Sequence, residues 1–367
     1  MAVIQFGNLS DFSASSHEAL LENLSQDALA QSCQVLDVSS SVKSEPVAIE
    51  VWRLDKVCRR ASGNKYFKQA LYWQLAAQHP DLPLLSFGGH YSNHLYALAA
   101  EAQRRDKALI CILRGLHQGE LNPCLSDLKS MGARLHFVSR KDYRNKHELT
   151  YLESLQQQLG SFICVPEGGG QLIGAWGAQA IGLAAAKKKA AITVVAAGTG
   201  STAAGIIAGL DLAAARSRQA GDSPTVRRVV IVPVINLHTE DGQRTLAAEI
   251  TGLRRQLAKL NGHHCDTLLE ENYANAVNWQ LLDGFQFGAY GKFPAELKLF
   301  LSEFESRFQI PLDPIYTAKA MAAVWSSKNL ATQASLPQAG HSFLHADEKI
   351  LFIHSGGLQG RRGHGLF

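Results

Sequence analysis

The chain has 367 residues, 46% of them hydrophobic, and its 36 basic and 32 acidic residues leave a formal net charge of +4. That length suffices for a large core and, at about 100–200 residues per domain, for two domains. The near-balanced charge, with basic clusters no longer than KKK at Lys187–Lys189 and RRGHG near the end, excludes a nucleic-acid stripe.

No apolar run reaches membrane-spanning length, and MAVIQFGNLSDFSASSHEALL lacks a basic segment followed by an apolar core. No membrane partner and a cytoplasmic location are therefore expected. Six cysteines with no CxxC spacing read as free thiols of a reducing compartment. His263-His264-Cys265 has no further ligands at zinc spacing, so no metal is expected.

Residues 1–45 are Ser-rich and weakly patterned, and read as an extension packed on the body. In SGNKYFKQALYWQLAAQ, starting at Ser62, the residues Phe67, Leu71 and Leu75 recur every four positions and predict a helix. With Ser62 or Asn64 as N-cap, Lys65 falls in the first turn. A cation there is disfavoured by roughly 0.5 kcal/mol or more, unless a neutral amine is what the site requires.

Apolar runs at 82–87, 109–114, 134–138, 162–166, 191–198, 227–235 and 348–354 read as buried strands. Amphipathic segments at 95–105, 175–189 and 240–260 read as helices between them. Continuous apolar strands alternating with helices predict an α/β fold with open, mostly parallel sheets covered on both faces. Ligands bind such sheets at the carboxyl ends of the strands.

Three strand-to-helix turns suit an anion. SFGGHYSNH offers Gly88 and Gly89 for close backbone approach, then Ser92, Asn93 and His94 as donors. AAGTGSTAAG, with Gly198, Thr199, Gly200, Ser201 and Thr202, has the composition of a phosphate cradle. No lysine follows that loop, which excludes a Walker A sequence. The acid expected about 20 residues beyond a dinucleotide fingerprint is missing too, so a single phosphate fits better than a pyrophosphate. The third turn is VPEGGGQ, which a tight turn alone would explain. A misplaced lysine, a phosphate cradle and a carboxylate seat are the parts a pyridoxal phosphate enzyme needs.

From Val51 to Gly360 the sequence resembles the pyridoxal phosphate enzymes of the tryptophan synthase β-subunit fold (fold type II), and within them the 1-aminocyclopropane-1-carboxylate deaminases and D-cysteine desulfhydrases. The resemblance implies that Lys65 of GNK is the cofactor-binding lysine. It places Asn93 at the cofactor's phenolic oxygen, and Ser92 and His94 toward the substrate carboxylate. It makes Gly198–Thr202 the phosphate loop and sets PEGG at Pro166–Gly169. Tyr290 and Tyr316 map onto two substrate-side tyrosines, and His354-Ser355-Gly356-Gly357 onto a closing HxGG element. A homodimer acting on a small amino acid is implied in the same way. The expected domains are a larger one of residues 1–81 and 166–367 and a smaller inserted one of 82–165.

In the deaminases of that family a glutamate occupies the position of Thr317 and a leucine that of Ser355; the desulfhydrases have small hydroxyl residues at both. A hydroxyl such as Thr317 cannot keep the cofactor ring protonated as a carboxylate does. Opening a cyclopropane should need the stronger electron sink, so β-elimination of a good leaving group is favoured. Lys65, Tyr290 or Tyr316 would then be the general base, and D-cysteine desulfhydration to pyruvate, ammonia and sulfide is the expected reaction. The alternatives are a 1-aminocyclopropane-1-carboxylate deaminase, a nicotinamide dehydrogenase using GTGSTA, or a non-catalytic binder of pyridoxal phosphate or an amino acid. The sequence departs from the family at Trp52, Phe67 and Tyr91, and His90 and Tyr91 add bulk beside the carboxylate seat.

Overall fold

A computed structural model describes residues 3–4, 14–36, 38, 49–58, 61, 63–188, 190–223, 227–235, 240–261, 277–289, 291–328, 330, 332–338 and 348–366. Tyr290, Ser62 and His263–Cys265 lie outside the described residues.

Two sheets carry the fold. The five-stranded sheet runs β1 (Val3–Ile4), β7 (Phe162–Val165), β4 (Leu84–Gly88), β5 (Leu109–Arg114), β6 (Arg134–Val138), all parallel. The six-stranded sheet runs β10 (Val277–Leu281), β9 (Arg227–Pro233), β8 (Ile192–Ala197), β11 (Ile350–Ile353), β3 (Ile49–Trp52), β2 (Cys33–Leu36), with only the β2–β3 pair antiparallel.

In the six-stranded sheet alternate residues feed two cores. Leu351 and Ile353 join a cluster with helices α1 (Ala14–Leu29), α8 (Gln171–Ala186), α9 (Ser201–Gln219) and α10 (Glu240–Leu260). Ile350 and Phe352 face α11 (Ala295–Phe308) and α12 (Thr317–Ser327), where Phe300, Phe304, Phe308 and Trp325 form an aromatic group. Each such fully buried side chain stabilises the fold by about 1.5–3 kcal/mol. Burial on both faces is why these strands read as unbroken apolar runs.

The N-terminal segment is packed on the body, as expected, and carries regular elements of its own. α1 packs on α8, with Leu21, Leu24 and Ala28 buried, and β2 closes the edge of the larger sheet. The apolar stripe of α1 is thin, which is why its period is weak. The two-residue strand β1 pairs with the smaller sheet rather than with the sheet of its neighbours in sequence.

α8 lies almost wholly inside the protein. Small residues bring its neighbours within backbone contact. A Cβ at Gly205 would stand 2.2 Å from the Ala175 carbonyl oxygen, and one at Gly209 would stand 2.1 Å from that of Gln179. On its other side a Cβ at Gly177 would meet the Phe67 carbonyl oxygen at 2.1 Å, and one at Gly174 the Gly169 carbonyl oxygen at 1.8 Å. No side chain larger than hydrogen fits at these places.

Candidate active site

Lys65 sits in α2 (Asn64–Lys68), a short helix followed after Gln69 by α3 (Ala70–Gln78). The N-cap is Gly63, not Ser62 or Asn64, because the chain enters the helix at φ +68 with the Ser355 carbonyl against it. A Cβ at Gly63 would lie 1.9 Å from that oxygen, and Asn64 N–H donates to it at 3.1 Å. Asn64 instead directs its side chain to the phosphate loop, donating from Nδ2 to Thr202 Oγ1 at 2.8 Å. Lys65 is therefore fixed in the first turn, with Nζ 3.5 Å from the Gly168 carbonyl. Burial lowers its pKa from 10.5 to about 8, since enclosure by protein disfavours the charged amine.

One turn on, Lys68 donates from Nζ to Ser201 Oγ at 2.9 Å, and Thr199 Oγ1 lies 3.2 Å from the same hydroxyl. Burial, and then the charge of Lys65, hold its pKa well below the ordinary lysine range. Lys68 is a site residue that sequence reasoning misses. Its signal is present all the same: a lysine three positions after Lys65, on the same helical face and inside an apolar run. Neither lysine has an ion pair among the described residues. Two amines beside two hydroxyls and the start of α9 lack an anion that would favour their charged forms, and a phosphate dianion would supply it. The donor set thus fits pyridoxal phosphate.

The turn after β4 brings Ser92, Asn93 and His94 to the opening of α4 (Asn93–Arg104). Ser92 Oγ caps that helix, accepting from Leu95 N–H at 3.2 Å. Asn93 is held across the chain: its Oδ1 accepts from Gln359 Nε2, and its amide bonds the carboxyl of Asp313. Gly357 leaves room for this, since a Cβ there would lie 2.4 Å from Asn93 Nδ2 and 3.2 Å from Asp313 Oδ2. Asp313 also accepts from the N–H groups of Ile315 and Tyr316, at 3.0 and 2.6 Å. Burial nevertheless pushes its pKa up to about 7.

His94, which the resemblance turns toward the substrate carboxylate, is buried with both ring nitrogens engaged. The Ser86 hydroxyl donates to the Val165 carbonyl at 2.7 Å, so it accepts from His94 Nε2–H at 2.8 Å. Gln69 Nε2 lies 3.3 Å from Nδ1 and donates to it in that tautomer. Burial, then Lys65 and Lys68, keep the ring neutral, with its pKa far below the ordinary value. His94 thus braces α4 against Gln69.

Tyr316 reaches the phosphate loop, where a Cβ at Gly198 would lie 3.7 Å from its hydroxyl. Thr317 is fully buried, and its Oγ1 accepts from the Asp313 N–H at 2.7 Å. Ser355 meets the start of α2 through its backbone, and His354 fixes that turn by donating from Nε2 to the Pro311 carbonyl at 2.6 Å. Phe67 and Trp52, at two departures from the family pattern, are wholly buried. The structure thus gathers Lys65, the Ser92–His94 turn, Gly198–Thr202, Tyr316, Thr317 and Ser355 around α2.

A half-buried amine of lowered pKa beside a glycine- and hydroxyl-rich loop, set at the carboxyl ends of parallel strands, suits a phosphorylated aldehyde. Residues 71–356 match the family described as pyridoxal-phosphate dependent enzyme, and the chain belongs to that family. Lys65 precedes the matched stretch. A relative from Pyrococcus horikoshii, named "Putative 1-aminocyclopropane-1-carboxylate deaminase", is 27% identical over 77% of this chain and 76% of its own. A solved structure described as an ACC deaminase homologue is 26% identical and covers 87% of each chain with a TM-score of 0.64. Escherichia coli diaminopropionate ammonia lyase in apo form shares the fold at 14% identity and a TM-score of 0.56, over 95% of this chain and 89% of its own. The protein is accordingly a pyridoxal-phosphate dependent enzyme. No helix among the described residues is long and apolar enough to cross a membrane.

Proposed function

We infer that the protein deaminates a small amino acid by β-elimination, in the manner of a D-cysteine desulfhydrase, releasing pyruvate, ammonia and sulfide. The observation that carries this reading is the first turn of α12, which has no acidic residue and presents Thr317 with its hydroxyl bonded to Asp313. Pyridoxal phosphate, when bound, supplies the conjugated ring that accepts the electron pair left at the substrate's Cα. Lys65 would hold it covalently, Lys68, Thr199, Ser201 and Thr202 would bind its phosphate, and Asn93 its phenolic oxygen.

Ser92, with the free N–H groups of α4, would seat the substrate carboxylate. The Lys65 amine, neutral in a useful fraction at pH 7, or the Tyr316 hydroxyl, would take the proton from Cα. Tyr290 is a further candidate for that step. Without a carboxylate at position 317 the ring is a weaker electron sink, which suffices when sulfide leaves. The enzyme is taken to work as a homodimer on free amino acids in the cytoplasm.

The likeness to proteins named for 1-aminocyclopropane-1-carboxylate favours a second reading, deamination of that amino acid to a four-carbon 2-oxo acid. Incubating the holoenzyme separately with D-cysteine and the cyclopropane amino acid, and assaying sulfide and 2-oxo acids, decides between them. Sulfide and pyruvate from D-cysteine support the first reading. Turnover of the cyclopropane substrate alone would replace it with the second.

A further inference from the structure

Four basic side chains gather at the carboxyl end of the smaller sheet, outside the machinery described above. His90 lies in the β4–α4 turn, Arg114 ends β5, His117 follows it, and Arg140 opens α6 (Arg140–Arg144) just beyond β6. The rings of His90 and His117 meet edge to face at 5.9 Å, and both pack on Phe137, at 5.9 and 5.1 Å. A Cβ at Gly89 would stand 3.5 Å from Arg114 Nη2, so that guanidinium flanks the loop leading to Ser92 and Asn93.

A line of contacts joins the cluster to the lysine. Arg114 lies over the ring of Tyr143 at 5.8 Å. Tyr143 donates from its hydroxyl to Glu167 Oε1 at 2.8 Å, and the neighbouring Gly168 carbonyl faces Lys65. With strands about 4.8 Å apart, the ends of β5 and β6 stand roughly 5 and 10 Å from that of β4. The nearer end is within reach of an amino-acid side chain whose carboxylate is held at Ser92, and the long side chain of Arg140 extends back from the farther one.

The cluster also lacks a counter-charge. Neither Arg114 nor Arg140 forms an ion pair among the described residues. The nearby carboxylates are engaged elsewhere: Glu167 with Tyr143 and, at 3.5 Å, Lys146; Asp142 with the hydroxyl and cap of Ser139. His90 Nε2 is buried with no hydrogen-bond partner, while the ring is bonded to the backbone of Gly115.

We propose that His90, Arg114, His117 and Arg140 form a second anion subsite that selects amino-acid substrates with a negatively charged side chain. The inference rests on the amino-acid deaminase reading and narrows its substrate class. The guanidinium groups would bind the distal phosphate or carboxylate oxygens. His90 Nε2, which cannot donate while the ring is neutral, would take up a proton when the anion arrives. Burial first, then His117, Arg114 and Arg140, now hold that ring below its ordinary pKa, and an anion beside the two guanidinium groups would offset their effect. Binding should therefore tighten as pH falls from 8 to 6.

Titration calorimetry on the holoenzyme, with O-phosphoserine, aspartate and serine in both enantiomers, tests this. The expected result is at least tenfold tighter binding of one enantiomer of phosphoserine or aspartate than of serine. Which of the two binds tighter distinguishes a phosphate from a carboxylate side chain. That ratio should collapse toward one in Arg114→Gln/Arg140→Gln, whose folding a thermal melt confirms, and should fall in His90→Gln. Equal affinities in the wild type, or a preference that survives the double substitution, would overturn the subsite. If the preference collapses as expected but no amino acid is turned over, the subsite stands and the β-elimination reading falls. D-cysteine turnover with no anion preference would remove the subsite and leave β-elimination standing.

Discussion

Removing the cofactor and varying pH should expose the amine of Lys65 directly. Burial takes it from 10.5 to about 8, which at ~1.36 kcal/mol per pH decade corresponds to about 3.4 kcal/mol in favour of the neutral form. At pH 7 about 9% of the amine is then neutral, against about 0.03% for an ordinary lysine, a gain of about 300-fold. Apoenzyme mixed with pyridoxal phosphate at pH 6 to 10 and trapped with borohydride would report this through the mass of the Lys65 peptide. Initial capture should rise about tenfold per pH unit and level off near pH 8. The same group affects stability. Between pH 8 and 10.5 the unfolded chain holds the proton that the native lysine has lost, so native stability rises with pH there. Lys65→Met should flatten that rise. A capture rate still climbing past pH 9.5, or an adduct on Lys68 instead, would refute the argument.

Lys68→Gln should weaken cofactor affinity about 10- to 150-fold, from the ~1.5–3 kcal/mol of a charge-assisted bond. It should also raise the melting temperature of the apoenzyme, because a buried amine with no carboxylate partner among the described residues is removed; a titration and a melt check both. Gly63→Ala should lose at least ~2 kcal/mol in a denaturant titration, since the left-handed backbone alone costs about 1–2 kcal/mol. A loss below ~0.5 kcal/mol would mean that the Ser355 carbonyl yields freely. Asp313, raised to about 7, keeps in the native state a proton that the unfolded chain releases near 3.8, so its contribution to stability falls as pH rises through that interval. Asp313→Asn should therefore gain on the wild type between pH 4 and 7, and a pH-independent difference would show that the native carboxyl is already ionised there.

The parts of the fold with a local signal were legible. The strands 109–114 and 134–138 and the helix 240–260 coincide with their expected limits, because a short apolar run or a strongly amphipathic helix announces itself over a few residues. α1 and β10 have thinner patterns and escape such a reading. At the candidate site, Lys65, Ser92, Asn93 and the 198–202 loop stand out in the sequence through glycines, hydroxyls and one ill-placed charge. Gln359 and Asp313 could not, since they reach Asn93 only after folding, Gln359 from 266 positions away. The engagement of His94 with Ser86 and Gln69 was hidden for the same reason, as a hydrogen bond between separate elements leaves no period in either.

The glycine contacts along α8 bear on how such an enzyme could acquire new substrates. The lysine helix is set against α8 through Gly177, and the helix behind the phosphate loop through Gly205 and Gly209. Amine and cradle are thus spaced by main chain resting on main chain. His90, Tyr91, Arg114 and Arg140 stand at the carboxyl end of the other sheet and have no share in that spacing. Replacements among them can accumulate while the cofactor's seat stays as it is. A lineage with this architecture can try one substrate after another without rebuilding its chemistry each time.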